Sequence, residues 1–201
     1  MAVFWVVVVA LLALQPASFA QQSPFRDTAG SVHEPDIGRI AAWGITVGCN
    51  PPENDLFCPR NNVTRGQMAA FMRRSFATPN SQYDYFFDDD ESVFEVDINS
   101  ITSVGITQGC NPPTSSQYCV NENITRGQMA AFLVRTLALP AGPDAFVDDS
   151  DSIFEGDINA LAAAGIAKGC DDNRYCADAL VTREQMASFL VRALDRLGCK
   201  A

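Results

Sequence analysis

One pattern of apolar and polar residues is repeated three times along the chain. Each unit holds a short segment with apolar residues three or four positions apart, then a turn and a loop, then a second segment with the same spacing. Because this spacing places apolar side chains on one face of a helix, each segment predicts an amphipathic helix. The sequence therefore predicts an all-α protein made of three helix-loop-helix repeats.

The first helix of each unit is predicted between a capping motif and a glycine. In the second unit, Ser92 and Glu95 form the Ser-x-x-Glu pattern of a capping box, in which the serine is the N-cap. Ile98 and Ile101 supply the buried face, and Gly105 is placed to end the helix. The equivalent residues are Ser31, Glu34, Ile37, Ile40, Ala41 and Gly44 in the first unit, and Ser152, Glu155, Ile158, Leu161, Ala162 and Gly165 in the third.

The second helix of each unit has the most closely repeated sequence. Thr64 is its predicted N-cap in the first unit, and Gln67, three positions on, completes a capping box. Met68, Phe71 and Met72 form the predicted buried face. The same ten-residue stretch occupies residues 62–71, 123–132 and 180–189, so the other caps are Thr125 with Gln128 and Thr182 with Gln185.

The loop between the two helices carries two cysteines in each unit. Pairing within each loop is the simplest interpretation, and the alternative is a metal site. Zinc usually takes four closely spaced ligands, and His33 is the only histidine, so we favour disulfides. The predicted pairs are Cys49 with Cys58, Cys110 with Cys119, and Cys170 with Cys176. Cys199 is left over, either free or joining two chains.

The chain is acidic, with 14 Lys and Arg against 24 Asp and Glu and a net charge of −10 over 201 residues. Its hydrophobic content of 47% is enough for a buried core. Nucleic-acid binding depends on clustered Lys and Arg, so the composition argues against a nucleic-acid partner. It favours cations, neutral ligands, or ligands that are recognised locally.

The N-terminus predicts a secretory signal peptide over residues 1–20. An apolar run from Val3 to Leu14 precedes the small-residue site Ser-Phe-Ala that ends at Ala20. A retained membrane anchor is the alternative, but the run is shorter than the roughly 20 residues of a spanning helix. We therefore expect an exported chain without a transmembrane span, in a compartment that permits disulfides.

An arginine follows the N-cap threonine in all three units, at Arg65, Arg126 and Arg183. The N-terminus of a helix is the positive end of its dipole, so a cation there is locally unfavourable. One explanation is an anionic ligand held by the guanidinium and the free N–H groups. The other is an internal salt bridge to an Asp-rich segment of a neighbouring unit. The residues alone leave both open.

Taken together, these elements resemble the S-layer homology repeat of bacterial surface proteins. The shared order is Phe-x-Asp, a short helix, Gly-Ile, a loop, and the Thr-Arg helix, in three copies from Phe25 to about Leu197. The repeats would span residues 21–84, 85–144 and 145–201. The resemblance implies a pseudo-threefold domain around a central three-helix bundle, with cell-wall glycans, often pyruvylated polysaccharides, bound non-covalently in grooves between repeats.

The resemblance also implies which residues meet the glycan. Its Thr-Arg motif assigns the contact with an acidic sugar to the three arginines. Glycines before the first cysteine of each loop would let the ligand approach the backbone, and aromatic residues at the start of the short helices would offer a stacking face. The implied site residues are Arg65, Arg126, Arg183, Gly48, Gly109, Gly169, Phe94 and Phe154; His33 occupies the third aromatic position.

We therefore expect a secreted binding module of the cell wall or cell surface, whose partner is a wall polysaccharide. We expect no enzyme, because the repeats leave no residues for a catalytic domain and His33 has no nucleophile constellation around it. The alternative is a structural surface-layer or adhesion subunit that self-associates through calcium, through Cys199, or both. Calcium is the one cofactor considered, at the acidic runs 88–91 and 148–151, which otherwise are solvated loops.

Overall fold

The computed structural model describes residues 23–198 of the chain. Within that range the chain forms six α-helices and no strand or sheet, which confirms the predicted all-α class. The predicted signal peptide and Cys199 lie outside the described residues. In order along the chain, the helices are α1 (Glu34–Ala42), α2 (Arg65–Phe76), α3 (Glu95–Ser103), α4 (Arg126–Leu137), α5 (Glu155–Ala163) and α6 (Arg183–Arg196).

The long helices α2, α4 and α6 begin as predicted. In α2, the Thr64 hydroxyl accepts a hydrogen bond from the Gln67 N–H, and the Gln67 side chain accepts one from the Thr64 N–H. The same reciprocal bonds are present at Thr125 and Thr182. These capping boxes are confirmed, and they fix each following arginine as the first residue of its helix.

The predicted start of the short helices is wrong. Helix α3 begins at Glu95, and its N-cap is Phe94 rather than Ser92. The Ser92 hydroxyl instead accepts a hydrogen bond from the Phe94 N–H, and the Glu95 N–H donates to the Ser92 carbonyl. The serine therefore closes a turn before the helix, and the same correction applies to Ser31 and Ser152 in α1 and α5.

The glycines that end the short helices and the disulfides of the loops are present as the sequence predicts. Gly44, Gly105 and Gly165 have φ values of +70°, +77° and +73°, a left-handed conformation that glycine adopts without a side-chain clash. The three predicted disulfides are present, Cys49 to Cys58, Cys110 to Cys119, and Cys170 to Cys176. Each disulfide therefore closes the loop that lies between the helices of one unit.

An aspartate from the Phe-x-Asp segment holds the second half of each loop. In the second unit, the Asp88 carboxylate accepts hydrogen bonds from the N–H groups of Tyr118 and Cys119, at 2.7 and 2.8 Å. Hydrogen bonds to an ionised acceptor are about twice as strong as neutral ones. Asp27 and Asp148 make the equivalent pairs of bonds in the first and third units. In each unit these bonds join the Phe-x-Asp segment to the loop without involving a helix.

The three units meet around a ring of backbone hydrogen bonds. The Val63 N–H donates to the Val181 carbonyl, Ile124 donates to Val63, and Val181 donates to Ile124. All three side chains are fully buried. Among the helices, α2 packs against α3, α4 against α5, and α6 against α1, so each long helix contacts the short helix of the next unit. The pseudo-threefold arrangement with a central three-helix bundle stays a prediction.

Within residues 23–198, every helix is too short or too polar to span a lipid bilayer.

Candidate functional site

Three surface grooves lie between the units, and each is assembled from three parts. We number each groove after the unit that supplies its loop and long helix. The next unit in the ring supplies the residue at the start of its short helix, and the remaining unit supplies the arginine of its Thr-Arg motif. The cavity volumes are about 530 Å³ for groove 1, 300 Å³ for groove 2 and 310 Å³ for groove 3.

The grooves bring together all the site residues that the sequence predicts, along with His33. Residues that lie far apart in sequence meet because the units close into a ring. Groove 1 contains Gly48, Phe71, Arg74, Phe94 and Arg183; groove 2 contains Gly109, Phe132, Arg135, Phe154 and Arg65; groove 3 contains Gly169, Phe189, Arg192, His33 and Arg126.

The arginine of each Thr-Arg motif lies between two aromatic rings. The guanidinium carbon of Arg65 is 4.7 Å from the ring centre of Tyr118 and 5.8 Å from that of Phe132. Arg126 and Arg183 are stacked in the same way, with ring distances of 4.6 to 5.4 Å. These distances lie within the range of cation–π attraction. The two rings therefore restrict the position of each guanidinium at the groove.

Each of these arginines also donates a buried hydrogen bond to a backbone carbonyl. The Nε of Arg65 donates to the Tyr118 carbonyl at 2.6 Å, that of Arg126 to Tyr175 at 2.8 Å, and that of Arg183 to Phe57 at 2.7 Å. The three arginines are only 3 to 6% exposed. They are therefore part of the packing between units as well as of the groove lining.

None of the ion pairs found between residues 23 and 198 includes Arg65, Arg126 or Arg183. The internal salt bridge considered from the sequence is therefore not present in this part of the chain. The Nη2 atoms of Arg65 and Arg126 are buried without a hydrogen-bond partner. Burial lowers the pKa of Arg183 to about 10, with the nearby Asp27 acting in the opposite direction, so this group is still a cation at neutral pH.

A second arginine in each groove was not singled out from the sequence. Arg74, Arg135 and Arg192 lie in the third turn of α2, α4 and α6 and donate to the carbonyls of Ile45, Ile106 and Ile166 at 3.4, 3.4 and 3.1 Å. The sequence carried one signal for them, because each of these arginines occupies the same position of its repeat. Nothing in the local sequence shows that they line the same groove as the Thr-Arg arginine of another unit.

The positive charge of the grooves contrasts with the net charge of −10 of the whole chain. The described linings of grooves 1 and 3 contain no Asp or Glu, whereas groove 2 contains Glu122 beside its two arginines. Lys168 adds a third cation to groove 3. Burial, and to a smaller extent the positive charge of Arg126, lower the pKa of Arg192, with Asp36 opposing them. The two arginines of groove 3 are therefore close enough to repel each other.

The two phenylalanines of the predicted stacking face pack against glycines of the Thr-Arg motif. A Cβ atom on Gly66 would lie 2.6 Å from a ring carbon of Phe94, and one on Gly127 would lie 2.6 Å from Phe154. In the third unit the motif has Glu184 instead, whose carboxylate accepts a hydrogen bond from Ser31 at 2.7 Å. His33 occupies the corresponding aromatic position and lines one cavity with Glu184, so the two differences lie in the same place.

Contacts within each loop require the glycine that lines its groove. These glycines are Gly48, Gly109 and Gly169. A Cβ atom on Gly109 would lie 2.5 Å from the Gln117 carbonyl oxygen and 2.9 Å from the Phe86 ring. Gly48 and Gly169 have similarly close backbone contacts. The loop's own backbone and the buried phenylalanine therefore require glycine here. A ligand that approaches this backbone stays a prediction.

His33 has a buried serine and a carboxylate near it. The Ser188 hydroxyl donates to Asp36 and lies 2.7 Å from the Nδ1 atom of His33. In a serine hydrolase the histidine lies between the serine and the carboxylate, whereas here the serine lies between the other two. Ser188 is also only 2% exposed. This arrangement fixes α1 against α6 and does not have the geometry of an activated nucleophile.

Comparison with known proteins identifies a matching family and a similar protein. A family model described as S-layer homology domain matches residues 147–187, in the third unit. An endoglucanase from Bacillus sp. (strain KSM-635) is 31% identical over 151 residues, and the alignment covers 71% of this chain. The chain spans 16% of the length of that endoglucanase, so the similarity concerns a small part of it.

Proposed function

Because the chain carries an S-layer homology domain at residues 147–187, we propose that all three units are such repeats and bind an anionic cell-wall polysaccharide. The S-layer homology domain is a non-catalytic module that generally anchors proteins at the cell wall, so the chain has a cell-surface or cell-wall association. The protein is secreted, attaches non-covalently, and uses grooves 1 to 3 as its binding sites.

The pairing of arginines in each groove carries this proposal. Arg65 with Arg135, Arg126 with Arg192, and Arg183 with Arg74 come from different units and line the same cavity. None of these six arginines forms an ion pair among residues 23–198, so an anionic ligand would offset the repulsion between two cations that line one cavity. Arginine forms paired hydrogen bonds with carboxylates and phosphates, which makes it well suited to acidic sugar substituents.

The form of the grooves suits a polymer that carries spaced acidic groups. Each guanidinium is already held by two rings and one carbonyl, so little side-chain freedom is lost when a ligand binds. A pyruvylated sugar combines a carboxylate with an apolar methyl group, and it would meet both the arginines and the phenylalanine or histidine of the groove. The three grooves also give one chain three contacts with the same polymer, which strengthens attachment through multivalency.

The proposal is tested by cosedimentation of the protein with purified cell walls, before and after their acidic polymer is removed. The wild-type protein is expected to sediment with intact walls and to remain in solution with stripped walls. The triple variant Arg74→Gln, Arg135→Gln and Arg192→Gln removes one cation from each groove. We expect it to bind at least about tenfold more weakly, because charged hydrogen bonds contribute roughly 1.5–3 kcal/mol each.

A matched control separates local recognition from net charge. Arg26, Arg60 and Arg196 lie outside the three grooves, and changing all three to Gln removes the same amount of charge. This control is expected to bind like the wild type. Equal weakening of both triple variants would show that attachment follows overall charge, and full binding by the groove variant would remove the grooves from the function.

A further inference from the structure

Asp89 is a buried carboxylate without an internal partner. Its side chain is 0% exposed, and both of its carboxylate oxygens lack a hydrogen-bond partner. The neighbouring Asp88 is different, because its two oxygens accept the N–H groups of Tyr118 and Cys119. A buried charge without a partner is strongly unfavourable in water-excluded surroundings. A compensating cation would remove that penalty.

Two further carboxylates face Asp89. One oxygen from each of Asp84, Asp89 and Asp90 lies within 4.8 Å of the other two. Calcium binds oxygens at 2.3–2.6 Å, so two ligands of one ion are about 5 Å apart or closer. The three oxygens are therefore spaced so that one ion can contact them all, and the exposed Asp84 and Asp90 leave the position open to solvent.

The charges around Asp89 have the same consequence. The negative charges of Asp84, Asp88 and Glu95 lie close enough to repel the Asp89 carboxylate. A divalent cation at this point offsets this repulsion as well as the cost of burying the charge.

We propose that Asp84, Asp89 and Asp90 form a calcium-binding site at the start of the second unit. The donor set consists only of carboxylate oxygens, which suits a hard cation and not zinc or copper. Calcium accepts six to eight oxygens in irregular geometry, and water completes the shell on the solvent side, whereas magnesium needs a near-ideal octahedron.

In the other two units, the residue at the position of Asp89 is not part of a three-carboxylate group. In the first unit Thr28 replaces Asp89, and its hydroxyl donates to the Phe25 carbonyl, so no charge is buried. In the third unit Asp149 is 1% exposed with two unpartnered oxygens, but Ser150 occupies the position of Asp90. The three-carboxylate group is found in the second unit only, within the described residues.

Calcium titration of the full chain tests the site. Thermal unfolding is measured after chelator treatment, with about 10 mM CaCl2 or the same concentration of MgCl2. With a Kd near 0.1–1 mM, as in extracellular modules, calcium is expected to raise Tm by about 3–8 °C and magnesium by much less. Isothermal titration with CaCl2 gives the Kd directly. No heat of binding, or equal shifts with both salts, would overturn the proposal.

Variants at the exposed ligands keep the test independent of folding. Asp84→Asn and Asp90→Asn are expected to weaken calcium binding at least about tenfold each, because each removes a charged ligand. Asp89→Asn is expected to abolish the calcium response and, without calcium, to unfold at or above the wild-type Tm, since the buried charge is gone. Asp149→Asn is the matched control and retains the response. Wild-type affinity in both exposed variants would refute the assignment of ligands.

Discussion

Replacement of Arg65 by Lys tests whether the Thr-Arg arginines are structural as well as ligand-binding. Lysine keeps the charge but has no Nε–H to donate to the Tyr118 carbonyl, a buried bond of 2.6 Å. A hydrogen bond to a charged group contributes about 1.5–3 kcal/mol. The contact of the guanidinium with the rings of Tyr118 and Phe132 is also weakened, which adds about 0.5–1 kcal/mol. We expect the free energy of unfolding to fall by roughly 2–4 kcal/mol.

The assay is urea unfolding followed by far-UV circular dichroism, with thermal unfolding as a second measurement. For a chain of this size each 1 kcal/mol changes Tm by about 2–4 °C, so Arg65→Lys is expected to lower Tm by about 5–15 °C. Arg74→Lys is the matched control. Arg74 lines a groove but makes only one long internal hydrogen bond, at 3.4 Å. Its replacement is expected to change the unfolding free energy by less than about 0.5 kcal/mol.

Two results would contradict this reasoning. If Arg65→Lys is as stable as the wild type, the aromatic stack and the carbonyl bond contribute nothing, and the arginine is present for the ligand alone. If Arg74→Lys is destabilised as much as Arg65→Lys, the two arginines of a groove have the same structural role, and the contrast drawn from their contacts is wrong.

Three further predictions concern the packing that positions the grooves. Tyr175→Phe removes the hydroxyl that donates to the Arg126 carbonyl at 2.9 Å, and we expect a loss of about 1 kcal/mol in urea unfolding with wall binding unchanged; a loss of binding would contradict it. Gly66→Ala places a Cβ atom 2.6 Å from the Phe94 ring and 2.8 Å from the Val120 side chain, and a net loss of about 0–2 kcal/mol is expected, since overpacking outweighs the gain in helix propensity. The loss should be smaller when it is measured in a Phe94→Ala background, where only the Val120 contact remains. Partial burial opposes ionisation of Asp148, but hydrogen bonds from the N–H groups of Tyr175 and Cys176, together with the charge of Arg174, outweigh it and hold the pKa of Asp148 below its usual value. Its stabilisation is therefore present above about pH 4 and lost as the pH falls further, and Asp148→Asn should flatten this acid limb of stability against pH.

The sequence was a good guide where the structure depends on neighbouring residues. The Thr-x-x-Gln capping boxes and the glycines that end the short helices involve residues within one or two turns, and these predictions are confirmed. The Ser-x-x-Glu motif failed although it has the same letters as a capping box. Whether its serine is an N-cap depends on the backbone before the helix, which is set by the fixed position of the Phe-x-Asp segment against the loop.

The sequence could not show what surrounds each arginine. Arg65 contacts Tyr118 and Phe132, more than 50 positions away, and the same is true of the stacking partners of Arg183. The sequence suggested either an anionic ligand or a carboxylate of a neighbouring unit as the partner of each arginine. The structure shows two aromatic rings and a carbonyl, a third solution that no local pattern encodes.

The sequence by itself therefore determined the presence of the helices, the caps of the long helices, the disulfides and the threefold repetition of the unit, because these depend on residues close along the chain. The tertiary structure decided that residues from three units share each groove, that a second arginine joins the first, and that Asp89 is buried while Asp88 is bound to the loop. Closure of the units into a ring produces these contacts, and the packing between units, rather than local propensity, fixes their geometry.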